Sequence, residues 1–259
     1  MFRRSLFIQT QTTPNENALK FIPSGTRILP TQQTPTVEVT SIKDAIHKSE
    51  LALKLLSIND KAISSILFGY DFITVVKYSE GDASAEKNNE VKPQNWNVLK
   101  PQIFALLTEH LTMGNTVLSN DFYDRLVEKS QSGFTGSKDE FDEDLTPEEE
   151  VVALIQELLT TRIQPAIQED GGDIQYISFD HDKGIVYLRL IGACKSCSSS
   201  EITLKSGIED MLKYYIDEVK AVEQVQDETF KKTEQKISDK HADTPKFEKH
   251  TVDDLPPAL

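Results

Sequence analysis

At 259 residues the chain has room for one large or two small domains. Its hydrophobic share of 38% is low and its charged share of 27% is high, so part of it lacks the apolar mass of a packed core. A formal charge of −14 argues against a general nucleic-acid binder, two cysteines exclude a disulfide-rich secreted scaffold, and no apolar run approaches the roughly eighteen residues of a spanning helix.

The start, Met1 to Ile8, is basic and then briefly apolar, too short for a secretory signal or a full transit peptide. The chain is therefore expected to be cytosolic, or to have lost a presequence. Leu6, Phe7 and Ile8 read as a strand start, and Thr12-Thr13-Pro14-Asn15 as a turn. Ala18 to Ile22 reads as the returning strand, ended by Pro23, and Val37-Glu38-Val39 as a short edge strand. Ser41 to Leu56 carries Ile42, Ala45, Leu51, Leu55 and Leu56 and reads as one helix. Ile63 to Phe68 and Phe72 to Tyr78 form a hairpin around Gly69-Tyr70-Asp71. Ser79 to Asn97 is polar and reads as a loop. Trp96 to Met113 is a helix by its Leu99, Ile103, Leu106, Leu107 and Leu111 face, with Gly114 at its end.

Residues 115–145 show no sustained period and include the run Asp139-Glu140-Phe141-Asp142-Glu143-Asp144. Like charges repel and extend, so this stretch reads as an acidic linker rather than a cation site. A second domain, residues 146–226, opens on the capping box Thr146-Pro147-Glu148-Glu149. Val151, Leu154, Ile155 and Leu158 give its first helix one apolar stripe, which Pro165 disrupts near the end. Glu169-Asp170-Gly171-Gly172-Asp173 is a turn, read as structural rather than metal-binding. Strands follow at Asp173 to Phe179 and Gly184 to Ile191. Ser198-Ser199-Ser200-Glu201 is another capping box, so a helix begins just after Cys197, with Leu204, Ile208, Met211, Leu212 and Tyr215 as its stripe. Glu218 to Val225 fits a last strand, giving the order αββαβ. Residues 227–259 are rich in lysine and glutamate and are expected to be disordered. The fold class is thus α+β: two small domains, residues 1–114 and 146–226, an acidic linker and a charged tail.

The chemistry concentrates in Gly192-Ala193-Cys194-Lys195-Ser196-Cys197, which holds both cysteines at a strand-to-helix seam. The loop is exposed by composition. Backbone N–H groups, the helix dipole and Lys195 all favour negative charge on sulfur there. Three readings compete with two inert cysteines. A thiol–disulfide oxidoreductase places its pair at such a seam, but the only prolines of the second domain, Pro147 and Pro165, both precede the cysteines. Zinc wants four ligands. There is no second Cys-x-x-Cys, and His47, His110, His181, His241 and His250 lack ligand spacing and read as surface or turn residues. The third reading is an iron–sulfur cluster shared between two copies, each giving two of four thiolates at a two-fold axis. Ligands divided between chains can be exchanged one by one with an acceptor, which suits a carrier.

Three segments together resemble the NifU C-terminal (Nfu-type) iron–sulfur scaffold domain. They are Glu169-Asp170-Gly171-Gly172-Asp173, Gly192-Ala193-Cys194-Lys195-Ser196-Cys197, and Ile202-Thr203-Leu204-Lys205-Ser206-Gly207-Ile208. Phe7-Ile8-Gln9-Thr10 with Thr13-Pro14-Asn15, Leu19-Lys20-Phe21, and Phe68-Gly69-Tyr70-Asp71-Phe72-Ile73-Thr74-Val75 resemble the domain that precedes it in mitochondrial members. The resemblance implies that Cys194 and Cys197 ligate a [4Fe–4S] cluster bridging a homodimer, with [2Fe–2S] as the other nuclearity. It implies a scaffold or carrier, not an enzyme, fed by upstream cluster-assembly proteins. Its acceptors would be apoproteins of the mitochondrial matrix, such as lipoate-synthesis and respiratory enzymes. The first domain would serve partner docking or regulation. Neither nucleic acid nor membrane insertion is expected. Ser198 stands where many members have proline and Glu201 where an apolar residue is common, and the loop from Ser79 to Asn97 and the tail are longer than the family norm.

Overall fold

Pro14 and Asn15 turn the chain back on itself between β1 (Ile8–Thr12) and β2 (Ala18–Pro23), which pair antiparallel. In the computed structural model, described for residues 6–59, 61–79, 94–132, 146–196 and 198–225, this hairpin opens a five-stranded antiparallel sheet. β3 (Val37–Val39), β4 (Ile63–Phe68) and β5 (Ile73–Lys77) complete it in the order β1-β2-β5-β4-β3. Val37–Val39 is an edge strand, and the hairpin around Gly69 to Asp71 forms, both as the sequence suggests.

Because side chains alternate across a strand, each strand sends one set to each face. Leu19, Phe21, Val37, Val39, Ile66, Phe68, Ile73 and Val75 enter the main core, under three helices. The other parity holds Ala18, Lys20, Ile22, Glu38, Leu67, Thr74 and Val76. Among these, Ala18, Leu67, Thr74 and Val76 are also buried, so the sheet is covered on both faces.

The core helices are α1 (Ile42–Lys48), α2 (Glu50–Leu56) and α3 (Trp96–Thr112). The single helix expected from Ser41 to Leu56 is two. Ser49 takes an extended conformation, accepts the Ala52 N–H as the cap of α2, and donates to the Val117 carbonyl. Leu99, Ile103 and Leu107 of α3 are fully buried. His110, expected at the surface, is buried as well, with Nε2 hydrogen-bonded to the Thr116 carbonyl at 2.9 Å. Gly114 then ends the helix at a φ of +77°. Part of the stretch read as aperiodic is helical: α4 (Asn120–Ser132) rests Phe122, Tyr123 and Leu126 on the same core. Three apolar contacts in thirteen residues leave too weak a period to recognise.

The second region opens on α5 (Pro147–Leu158), with the Thr146/Glu149 capping box formed. Ile155 and Leu158 are buried, whereas Leu154 is exposed. Pro165 does not break the helix. A π-helical turn, Leu159–Ile163, absorbs the change of register, and the proline falls in the first turn of α6 (Gln164–Glu169). β6 (Gly172–Asp180) and β7 (Ile185–Gly192) pair antiparallel, and β8 (Ala221–Gln224) joins β7 in parallel. A parallel neighbour needs a crossover, here a single 3-10 turn, Ala193–Ser196, and α7 (Ser198–Tyr215). The order αββαβ stands, and the whole is α+β. The loop at 80–93, the acidic run at 139–144, Cys197 and the tail at 227–259 lie outside the described residues. Among the described residues no helix is long and apolar enough to cross a membrane.

Candidate functional site

Two glycines face each other where β6 begins and β7 ends: Gly172 pairs with Gly192. Gly192 has a φ of +67°, a conformation that releases the chain from the sheet into the 3-10 turn. A Cβ there would also lie 2.5 Å from Leu67 Cδ2. At Gly172 a Cβ would lie 2.4 Å from Cys194 Sγ and 3.0 Å from the Ile191 carbonyl. The space a side chain would take is the space the sulfur occupies. Gly172, which the sequence placed within a turn, thus makes room for a candidate ligand.

Cys194 is 8% exposed and belongs to the second core, although the composition of its loop suggested exposure. It faces a cavity of about 510 Å³ whose walls include Pro14, Asn15, Ile167, Ile208 and Met211. Two of these come from the first hairpin, more than 150 residues away in sequence, which no local pattern could reveal. Arg162 and Asp170 are the charged side chains on its wall. Lys195 is half-buried beside it. The helix after the pair starts at Ser198, just after Cys197 as expected. Among the described residues no three His, Cys, Asp or Glu side chains gather closely enough to hold a metal ion.

The free parity of the first sheet closes over this end of the second. Asn15 Nδ2 donates to the Ala193 carbonyl at 2.8 Å, a buried bond. Lys20 Nζ donates to the Gln168 and Glu169 carbonyls at the end of α6, at 2.9 and 3.3 Å, and sits 4.5 Å above the Phe72 ring. Burial pulls the Lys20 ammonium below its usual range, opposed by Asp71, Glu169 and Asp170. Glu38 accepts the Gly192 N–H at 3.4 Å and pairs with Arg189 at 3.5 Å. Thr36 Oγ1 donates to Asp173 Oδ2 at 2.6 Å. Asp173, 1% exposed, also accepts from Gln164 and from the Ile174 N–H through Oδ1. Burial still raises its carboxyl above the usual range. Two small apolar clusters fill the gaps: Leu67 and Phe72 with Ile191, and Ala18 and Val76 with Ala193.

Comparison with known proteins matches both regions. The NifU-like domain model covers residues 155–223, and the model of the scaffold protein Nfu/NifU N terminal covers residues 8–114. A mitochondrial NifU-like protein of Saccharomyces cerevisiae is 43% identical over 227 residues, spanning 87% of this chain and 82% of the relative. A mitochondrial iron–sulfur cluster scaffold homolog of Homo sapiens is 43% identical over 225 residues, spanning 87% and 74%. A NifU-like protein of Schizosaccharomyces pombe is 41% identical over 244 residues, spanning 91% and 81%.

Proposed function

The chain belongs to the NifU-like family, and from that premise we propose that it is an iron–sulfur cluster scaffold or carrier that holds its cargo through Cys194 and Cys197. The observation that carries this reading is the seat of Cys194. Its sulfur fills a gap that Gly172 leaves open, at a strand-to-helix seam that turns backbone N–H groups toward negative charge. Two copies, each bringing Cys194 and Cys197, supply the four thiolates of a [4Fe–4S] cluster, or of a [2Fe–2S] cluster in a second form. Release then proceeds by exchange of one thiolate for another from an acceptor, with no net electron transfer.

The protein on this reading is not an enzyme. It receives clusters from upstream assembly proteins and delivers them to apo iron–sulfur proteins such as lipoate-synthesis and respiratory enzymes. The mitochondrial names of its relatives support a place in the matrix. The division that goes with it is a first domain at residues 1–114, a linker at 115–145 whose first part, through α4, packs onto the first core, the cluster domain at 146–226 and a charged tail at 227–259. The two matched family regions support this layout.

The second reading, a thiol–disulfide oxidoreductase, draws on the same seam. One comparison separates them. A carrier reconstituted with iron and sulfide without oxygen turns brown and binds about four irons per dimer, and it leaves insulin disulfides intact. Catalytic reduction of insulin by a chain that retains no iron would reverse the assignment.

A further inference from the structure

We infer that the first domain is a removable cover over Cys194, and that the chain must open there before a second copy can share a cluster with it. This rests on the scaffold reading above. A bridging cluster needs the thiolates of two chains around one small inorganic core. Cys194 is buried, and its cavity is walled in part by Pro14 and Asn15 of the same chain. The first hairpin thus forms part of the wall of the space that a partner's loop must enter.

The contact has the composition of a surface that separates. It is anchored by a few polar links: Asn15 to the Ala193 carbonyl, Lys20 to the end of α6, Thr36 to Asp173, and Glu38 to the Gly192 N–H and to Arg189. Its apolar content includes two small clusters, each of three buried residues. Interfaces of this mixed kind between parts of one chain allow relative motion, whereas large apolar ones do not. Each polar group can also hydrogen-bond to water once the surfaces part, so opening strands no donor or acceptor. Apart from the Arg189 pair, the links converge on the segment around Cys194, from Gln168 to Asp173 and from Gly192 to Ala193. The cover therefore acts where the ligand sits.

The full chain carrying Cys197→Ser has one thiol, and its rate of alkylation by iodoacetamide without denaturant reports how often Cys194 is uncovered. Asn15→Ala, Lys20→Met and Thr36→Val, each added singly, are expected to raise that rate by about tenfold or more, while circular dichroism stays that of the parent. Rates equal to the parent in all three, or a parent rate already equal to that of the urea-unfolded chain, would overturn the cover. A variant that loses its circular dichroism is replaced by a measurement on the unmutated chain. There, amide exchange across residues 13–21 and 192–196 should speed up when the iron-loaded dimer forms. Unchanged exchange in a dimer shown to hold iron would also overturn the cover. The alkylation arm involves no iron, so failure of the scaffold reading shows separately, as absence of bound iron.

Discussion

The side-chain amide of Asn15 donates to the main-chain carbonyl of Ala193 at 2.8 Å, a bond that ties the first hairpin to the residue before Cys194 across 178 positions of sequence. Both partners are buried. Asn15→Ala leaves that carbonyl without its partner in a dry setting, which costs about 1–3 kcal/mol. Urea unfolding should show this as a lower midpoint with an unchanged slope. A midpoint within error of the parent would mean the bond contributes nothing.

The two glycines nearest the sulfur and on α7 should respond in opposite directions. Gly172→Ala puts a methyl group 2.4 Å from Cys194 Sγ and 3.0 Å from a backbone carbonyl, so the sulfur must move. A loss of about 1–3 kcal/mol and a several-fold fall in iron retained after desalting are expected. Gly207, inside α7, has open space at its Cβ position. Gly207→Ala should stabilise the chain by about 0.5–1 kcal/mol, through helix propensity alone. Thermal melts of the two variants side by side provide the check.

Asp173 sets a pH dependence whose sign follows from its burial. Desolvation raises its carboxyl, and the hydrogen bonds from Thr36, Ile174, Gln164 and Gln168 only partly pull it back. The folded chain therefore binds this proton more tightly than the unfolded chain. The stability contributed is fully present below the ordinary value of 3.8, and it is lost as pH rises through the higher folded-state value. Asp173→Asn removes that titration. Plotted against pH from 3.8 upward, the stability of the parent minus that of Asp173→Asn should fall and then level off. A difference that stays flat across the range would contradict the raised carboxyl.

Cys194→Ser separates ligand from core residue. The side chain keeps its size but gains a polar hydroxyl in the second core, a penalty of about 1–2 kcal/mol. The variant should remain folded by circular dichroism and bind no cluster on anaerobic reconstitution. Global unfolding would show that the residue is needed mainly for packing.

The strands and the longer helices were legible in the sequence because their signals are local. The hairpin around Gly69, the Thr146 capping box and the helix beginning after Cys197 each need only a few neighbouring residues to specify them. What escaped was set by tertiary contact. Ser49 breaks a helix whose apolar pattern runs through it, because its hydroxyl reaches the Val117 carbonyl. Pro14 and Asn15 help to wall the cavity that Cys194 faces, which nothing near the cysteine could announce. One sign was present. Ile66-Leu67-Phe68 and Ile73-Thr74-Val75-Val76 are apolar or small on both parities, as strands covered on both faces are. That pattern already required something to lie across the side of the sheet away from the helices, and the loop holding Cys194 is part of what lies there.

Native mass spectrometry of the anaerobically purified chain, with Mössbauer spectroscopy of the same sample, bears most directly on a cluster divided between two copies. The expected result is a dimer carrying about four irons with the spectrum of a [4Fe–4S] cluster, while the iron-free chain stays monomeric. An iron-loaded monomer, or a dimer holding zinc in place of iron, would contradict it.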